Sequence, residues 1–332
     1  MKRVVTFGEL MLRLSPPGEE RLFQSPALRT YFGGSEANVA VSLAHFGRRS
    51  DYVTRLPANP VGDAALSALR AEGVGVGGVL RGGERLGIYF VEPGADLRAL
   101  RVVYDRAGSA FAKLDPEEID WTAVLGGADW LHLSGITPAL GDGPARAAQA
   151  AVDAAQSAGA KVSVDLNYRP ALWTGRDPVP VTRALVRGCD VVIGNPGAVA
   201  AMLGVGAGTG GGESEIVLRA SAEALCAELE CRAVALTRRD VVSASEHGWS
   251  AALFDPRDGT MHASRPWRVR VTDRVGGGDS FAAALIHATL DGRPAKDALE
   301  FATAASALKL TIPGDFNRVR ADEVDTLLQR TR

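Results

Sequence analysis

An α/β fold with a mostly parallel central sheet and a small β appendage is what this sequence predicts, on three observations. Strand-like runs at residues 130–133, 161–165, 190–193 and 233–237 alternate with helical segments, the mark of βαβ units. Two β-rich segments, 86–92 and 100–105, flank the turn signal Pro93-Gly94-Ala95-Asp96 and form a hairpin pattern. Residues 267–286 have the pattern of a strand, a glycine turn at Gly276, Gly277 and Gly278, and a helix beginning near Ser280.

In chain order, Val4 to Phe7 is a short apolar run closed by Gly8, suited to a buried opening strand. Residues 10–33 carry Pro16, Pro17, Gly18 and Pro26, which spoil a helix but suit short strands and turns. Together with the hairpin they predict a small sheet laid over the main body and built from two separated segments. From Glu36 onward Ala37, Val39, Ala40, Leu43 and Ala44 share a helical face, and Gly47 closes it; a second helix is expected over 63–72. A helix over 144–157 lies between two of the parallel strands, whose carboxyl ends would carry Ser134, Asp165, Asn167, Asn195 and Thr237. The stretch 204–212 has six glycines and is expected to be a flexible surface loop. The last third predicts helices over 280–290, 295–309 and 321–330, interrupted at 311–317. No internal repeat and no second large domain is evident.

Composition narrows the function. The 332 residues are 46% hydrophobic and 23% charged, ordinary for a folded domain with a substantial core. A formal net charge of −2 gives no general attraction to nucleic acid. Cys189, Cys226 and Cys231 are odd in number and lack C-x-x-C spacing, so neither a disulfide framework nor a zinc site is expected, and a reduced, cytoplasmic setting is. The N-terminal apolar run is too short for a signal peptide, and no run approaches the roughly 18 apolar residues of a membrane span. Positive charge is nearly all Arg, with Lys only at Lys2, Lys113, Lys161, Lys296 and Lys309.

Two glycine clusters carry the chemistry. Gly276, Gly277 and Gly278 let the backbone turn sharply and aim free N–H groups at one point before a helix, where its dipole favours an anion. Asp279 stands at that point. A carboxylate there would repel a phosphate unless it served, for instance, to accept a proton from an attacking hydroxyl. The same four residues also suit a plain turn with Asp279 as N-cap. The second cluster is Gly33-Gly34, with Asn38 at the start of a helix. No G-x-x-x-x-G-K-[ST] occurs, so ATP would bind by another route.

Taken together, the G-G-x-x-x-N-x-A of residues 33–40 and the D-x-x-G-x-G-D of residues 273–279 resemble the two signatures of the ribokinase-like (PfkB) carbohydrate kinases. Within that family the 2-keto-3-deoxygluconate kinases are similar in further segments: Gly8-Glu9, Tyr89, Tyr104 with Arg106, His132-Leu-Ser-Gly-Ile-Thr-Pro138, Asp165-Leu-Asn-Tyr-Arg169 and Thr311-Ile-Pro-Gly-Asp-Phe-Asn317. The resemblance covers essentially the whole chain. It implies a ribokinase-like three-layer α/β/α domain over 1–9, 34–85 and 107–332, with a β lid from 10–33 and 86–106.

It also implies roles. Asp279 would be the general base and Gly276, Gly277 and Gly278 the anion hole. Gly33, Gly34, Asn38, Tyr89, Tyr104, Arg106 and Arg169 would form the sugar-acid site, and Asn195, Thr237, Gly248 and Asn317, with Gly276 and Gly278, would lie near ATP. The expected reaction is transfer of the γ-phosphoryl of ATP to the 6-hydroxyl of 2-keto-3-deoxygluconate, with Mg2+ as companion, the need for a monovalent cation left open, and with room for a homo-oligomer formed through the lid. A sugar acid needs cationic donors for its carboxylate, which Arg106 and Arg169 would supply, and Tyr104-x-Arg106 would put both side chains on one face of a strand. The alternatives are a fructokinase or other neutral-sugar kinase of the same family, and a sugar- or nucleotide-binding regulator without catalysis. Two positions depart from the family pattern. Asp273 is followed by Arg274 where Thr or Pro is usual, and Asn195 lacks the Glu of the family's N-x-x-E, so no residue is assigned to the metal.

Overall fold

Val4 and Val5 are both fully buried yet lie in different cores, because successive side chains of a strand point to opposite faces. The same alternation recurs at Trp130 and Leu131, and at Val191 and Val192. A sheet that is apolar on both faces must be covered on both, which is why these strands are continuous hydrophobic runs. The computed structural model describes residues 1–206 and 215–331. The glycine-rich loop expected over 204–212 lies outside them from residue 207, and within them Gly204 caps a helix in the left-handed conformation.

The chain opens with β1 (Arg3–Phe7), then β2 (Met11–Ser15), β3 (Arg29–Gly33), α1 (Ser35–His45), β4 (Arg49–Leu56), α2 (Pro60–Ala71), β5 (Val79–Arg81), β6 (Gly87–Glu92) and β7 (Arg101–Asp105). There follow α3 (Trp121–Leu125), β8 (Trp130–Ser134), α4 (Asp142–Ser157), β9 (Lys161–Asp165), α5 (Val179–Val186), β10 (Val191–Gly194), α6 (Pro196–Leu203) and α7 (Glu215–Leu229). The last part is β11 (Val234–Ser243), β12 (Glu246–Asp255), β13 (Thr260–Ala263), β14 (Trp267–Arg270), α8 (Gly277–Leu290), α9 (Ala295–Lys309) and α10 (Ala321–Arg330).

Ten strands form the main sheet in the order β13-β12-β11-β10-β9-β8-β1-β4-β5, with β14 also paired to β12. From β11 to β5 every pairing is parallel. The antiparallel strands β12, β13 and β14 extend one edge, and β12 and β13 were not expected. One face of the sheet packs on α1, α8, α9 and α10, and the other on α3 to α7. Helix α8 is buried from Asp279 to Ala288, so it is apolar all round rather than striped.

Segments 11–33 and 87–105 form a separate four-stranded sheet, ordered β3-β2-β6-β7. Strands β2 and β6 run parallel in its centre, and β3 and β7 lie antiparallel at its edges. Two buried side chains fasten it to the body. Arg13 on β2 forms ion pairs at 2.8 Å with both Asp273 and Asp315, and the Tyr89 hydroxyl on β6 donates to Asp315.

Candidate active site

The glycine turn behaves differently from its expected form at one point: α8 starts at Gly277, before the expected start near Ser280. Gly276 supplies the reason. Its φ of 84° lies in the left-handed region, so the chain enters the helix at once, and a Cβ there would stand 2.3 Å from the Asp315 carbonyl. Asp279 therefore sits in the first helical turn and is not the N-cap. The backbone N–H groups of Gly278 and Asp279 have no carbonyl one turn earlier to bond, and Gly278 is exposed with open space beside it. A helix terminus with free N–H donors of this kind is suited to binding an anion.

The amino end of α1 meets the same turn. Ser35 Oγ donates to Asp279 Oδ1 at 2.8 Å, and Asn38 Nδ2 donates to Asp279 Oδ2 at 2.7 Å. Asn167, at a φ of 40° just past β9, donates from Nδ2 to Ser35 Oγ at 2.8 Å. Burial raises the Asp279 carboxyl above the ordinary carboxylate range, while Asn38 and Ser35 pull it back. Asp165, at the carboxyl end of β9, is pushed up to about 7 by burial first and by Asp279 second. Two buried carboxylates thus share the site, one of them fixed by side-chain donors on both oxygens.

Arg169 brings positive charge to them, and two more arginines lie near it. Burial lowers the guanidinium of Arg239, and Arg169 lowers it further; Arg274 is lowered by burial and then by Arg239 and Arg169. Arg169 in turn favours the ionised form of Asp279. Among the described residues no carboxylate forms an ion pair with any of the three, so this cluster is open to an anion. Arg274 is the residue that departs from the family signature, and Arg239 follows Thr237 on the same face of β11. Neither was singled out from the sequence for this role.

The other expected residues fall as follows. Gly33 and Gly34 allow close approach: a Cβ would stand 2.2 Å from Asp315 Oδ1 at the first and 2.0 Å from the Glu9 carbonyl at the second. Tyr89 is buried and stacks on half-exposed Tyr104, ring centroids 5.9 Å apart. Arg106 lies past the end of β7, which stops at Asp105, so it does not share a strand face with Tyr104; it packs over that ring at 5.6 Å. Its Nε donates to Glu9 Oε2 at 2.9 Å and Nη2 to the same oxygen, which makes a largely buried ion pair. Arg169 is exposed, with Nη1 on the Tyr168 carbonyl. Asn195 caps α6 through the Ala198 N–H, and Thr237 Oγ1 reaches the Gly194 carbonyl at 3.3 Å. Gly248 pairs across β12 with Asp240 and Arg268. Asn317 is buried and donates to Ser280 Oγ at 2.9 Å, tying the 311–317 segment to α8. No helix of the described residues is long and apolar enough to cross a membrane.

Comparison with known proteins gives the family. A 2-dehydro-3-deoxygalactonokinase of Haloferax volcanii is 31% identical over 326 residues, 98% of this chain and 96% of its own length. A 2-dehydro-3-deoxygluconokinase of Thermoproteus tenax is 29% identical over 325 residues, 95% of this chain and 90% of its own. The crystal structure of a 2-dehydro-3-deoxygluconokinase from Thermotoga maritima superposes with a TM-score of 0.95 at 42% identity, covering 99% of this chain and all of that one. A model of the pfkB family carbohydrate kinases matches residues 1–320. With a family match over residues 1–320 and a central sheet clothed by helices on both faces, this chain belongs to the PfkB family of carbohydrate kinases.

Proposed function

We propose that this enzyme transfers the γ-phosphoryl group of ATP to the 6-hydroxyl of a 2-keto-3-deoxy sugar acid, with 2-keto-3-deoxygluconate as the first candidate. One observation carries the acid assignment: Arg169 acts on the Asp279 carboxylate, Arg239 and Arg274 lie within electrostatic reach of Arg169, and among the described residues no carboxylate forms an ion pair with any of the three. A neutral sugar would call for fewer charges than the triphosphate and a sugar carboxylate together. Similarity to kinases named for deoxy sugar acids supports the same reading.

In the proposed mechanism Asp279 takes the proton of the attacking hydroxyl, and the amides of Gly278 and Asp279 meet the charge on the phosphoryl oxygens, the Gly277 N–H being donated to the Arg274 carbonyl. Ser35 and Asn38 hold both oxygens of the base, which fixes its orientation before the sugar arrives. Tyr89, Tyr104, Gly33 and Gly34 shape the sugar pocket. Arg169 takes the carboxylate, and Arg106, anchored on Glu9 through Nε and Nη2, offers Nη1. The nucleotide lies toward Asn195, just past β10, Thr237 within β11 and Gly248 near the start of β12. The four-stranded sheet acts as a lid that excludes water.

Magnesium bound with the nucleotide would neutralise phosphate charge. Among the described residues no three His, Cys, Asp or Glu side chains gather as a metal site. Asp165 is the residue that would hold the ion.

The test is an ADP-release assay over 2-keto-3-deoxygluconate, 2-keto-3-deoxygalactonate, gluconate and fructose. Preference for a keto-deoxy acid supports the proposal, and the two epimers are told apart in the same panel. Preference for fructose would replace it with a neutral-sugar kinase, and ATP binding without turnover on any of them would favour a regulator.

A further inference from the structure

Lys309, the last residue of α9, is fully buried directly behind the glycine turn. Its ammonium donates to the Gly314 carbonyl at 2.9 Å and the Ile312 carbonyl at 3.2 Å. Its Cε would lie 3.2 Å from a Cβ on Gly276, so it packs against the residue that opens α8. Asp273 and Asp315 are the nearby anions, and Arg13 bonds both of them. Asp273 also accepts the Gly314 N–H at 3.0 Å, closing the segment around the ammonium. Main-chain carbonyls converging beside two carboxylates make a cradle for a cation, and the side chain of this protein already fills it.

We infer that Lys309 is the resident cation of the phosphoryl-transfer site, and that the enzyme needs no monovalent metal ion there. The inference rests on the kinase reading above. The carbonyls that such an ion would use are bonded to the ammonium, so the residues present do not fit a bound potassium ion. Held between the 312–315 segment and Gly276, the ammonium places a positive charge behind the turn whose N–H groups face the transferring phosphoryl group. Burial works against that charge, and Asp273 and Asp315 work for it. Lys309 is thus a positioning residue, acting on the reaction through the Gly276 turn rather than by touching the substrate. A second purpose, to satisfy two buried carbonyls, would be served equally well by an uncharged N–H donor. That difference is testable.

The experiment compares the wild-type enzyme in potassium and in tetramethylammonium at equal ionic strength, by turnover and by melting temperature. Turnover should agree within about twofold, and the melting temperature should not move, since an ion that binds only the folded state would raise it. A strong requirement for potassium, or a potassium-specific rise in melting temperature, would overturn the inference. Lys309→Gln keeps an N–H donor without the charge and should lose turnover by about 10- to 100-fold. Lys309→Ala should lose as much and regain part of it with potassium or ammonium but not with tetramethylammonium. Full turnover in Lys309→Gln, or an Ala variant indifferent to all three cations, also overturns it. Should both variants fail to fold by circular dichroism, the wild-type comparison decides alone. Absence of turnover on every sugar would count against the proposed function, while the melting comparison would still test the cradle.

Discussion

Asn38 donates its side-chain amide to Asp279 Oδ2 at 2.7 Å, joining residues 241 positions apart in the chain. The bond links the first turn of α1 to the first turn of α8, so the amide and the carboxylate are both carried on rigid elements. Ser35 holds the other oxygen, and Asn167 holds Ser35. A carboxylate held at both oxygens cannot rotate away from an incoming hydroxyl, and that gives the first prediction.

Asp279→Asn should leave folding and ATP binding intact, because the amide is nearly isosteric. Turnover should fall by roughly 10²- to 10⁴-fold for a lost general base. Steady-state kinetics with ATP binding by calorimetry checks this, and near-normal turnover would remove Asp279 from the mechanism.

Asn38→Ala should cut turnover less and change its pH dependence. The Asn38 donor favours the ionised form of Asp279, against the burial that raises its pKa. Without that donor the pKa rises further, so the acid limb of the kcat profile should move to higher pH. An unchanged limb would mean that Asn38 serves the sugar and not the base.

Asp165 predicts how stability depends on pH. Its carboxyl is raised from 3.8 to about 7 by burial and by Asp279, so between these values the folded state holds a proton that the unfolded state has released. The contribution is fully present below the unfolded value and is lost as pH rises through 7. The slope from this group is at most about 1.4 kcal/mol per pH unit. In magnesium-free buffer, denaturation midpoints of Asp165→Asn should therefore fall less steeply from pH 5 to 7 than those of the wild type.

The parts of the site that were legible in the sequence are those with a local signature. Gly33, Gly34 and Asn38 lie within one helix turn of each other, and Gly276 to Asp279 are contiguous. Arg13, Lys309, Asp273 and Asp315 form one buried cluster from three distant segments, and nothing local marks a strand arginine as buried. The helix start at Gly277 was misplaced because glycine has low helix propensity, and here tertiary packing of α8 overrides it. Strand β12 carried a usable signal in the alternation of buried His247, Trp249, Ala251 and Leu253, which was passed over.

The four-stranded sheet, if it closes over bound sugar, should show slower amide exchange on binding in both 10–33 and 86–105. Tyr89 and Tyr104 are paired across β6 and β7, so neither strand can engage the sugar without the other. Protection confined to 276–290 would show that the sheet is a fixed wall.

The last prediction separates the two arginines expected to read the sugar carboxylate. Arg106 and Glu9 form an ion pair whose side chains are 11% and 2% exposed, so Arg106→Ala leaves a buried carboxylate unpaired. Breaking such a pair costs about 3–5 kcal/mol, and this variant should reveal itself first as a drop in melting temperature. Arg169 is exposed and makes its hydrogen bond to its neighbour's carbonyl, so Arg169→Ala should fold normally. A hydrogen bond to a charged group contributes about 1.5–3 kcal/mol, hence kcat/KM for 2-keto-3-deoxygluconate should fall by about 10- to 100-fold in Arg169→Ala. Fructose, which has no carboxylate, should suffer less. Equal losses for both sugars would mean that Arg169 faces the phosphates, as Arg239 and Arg274 are free to do. The acid specificity would then have to come from Arg106, whose Nη1 is left for the sugar while Glu9 holds Nε and Nη2.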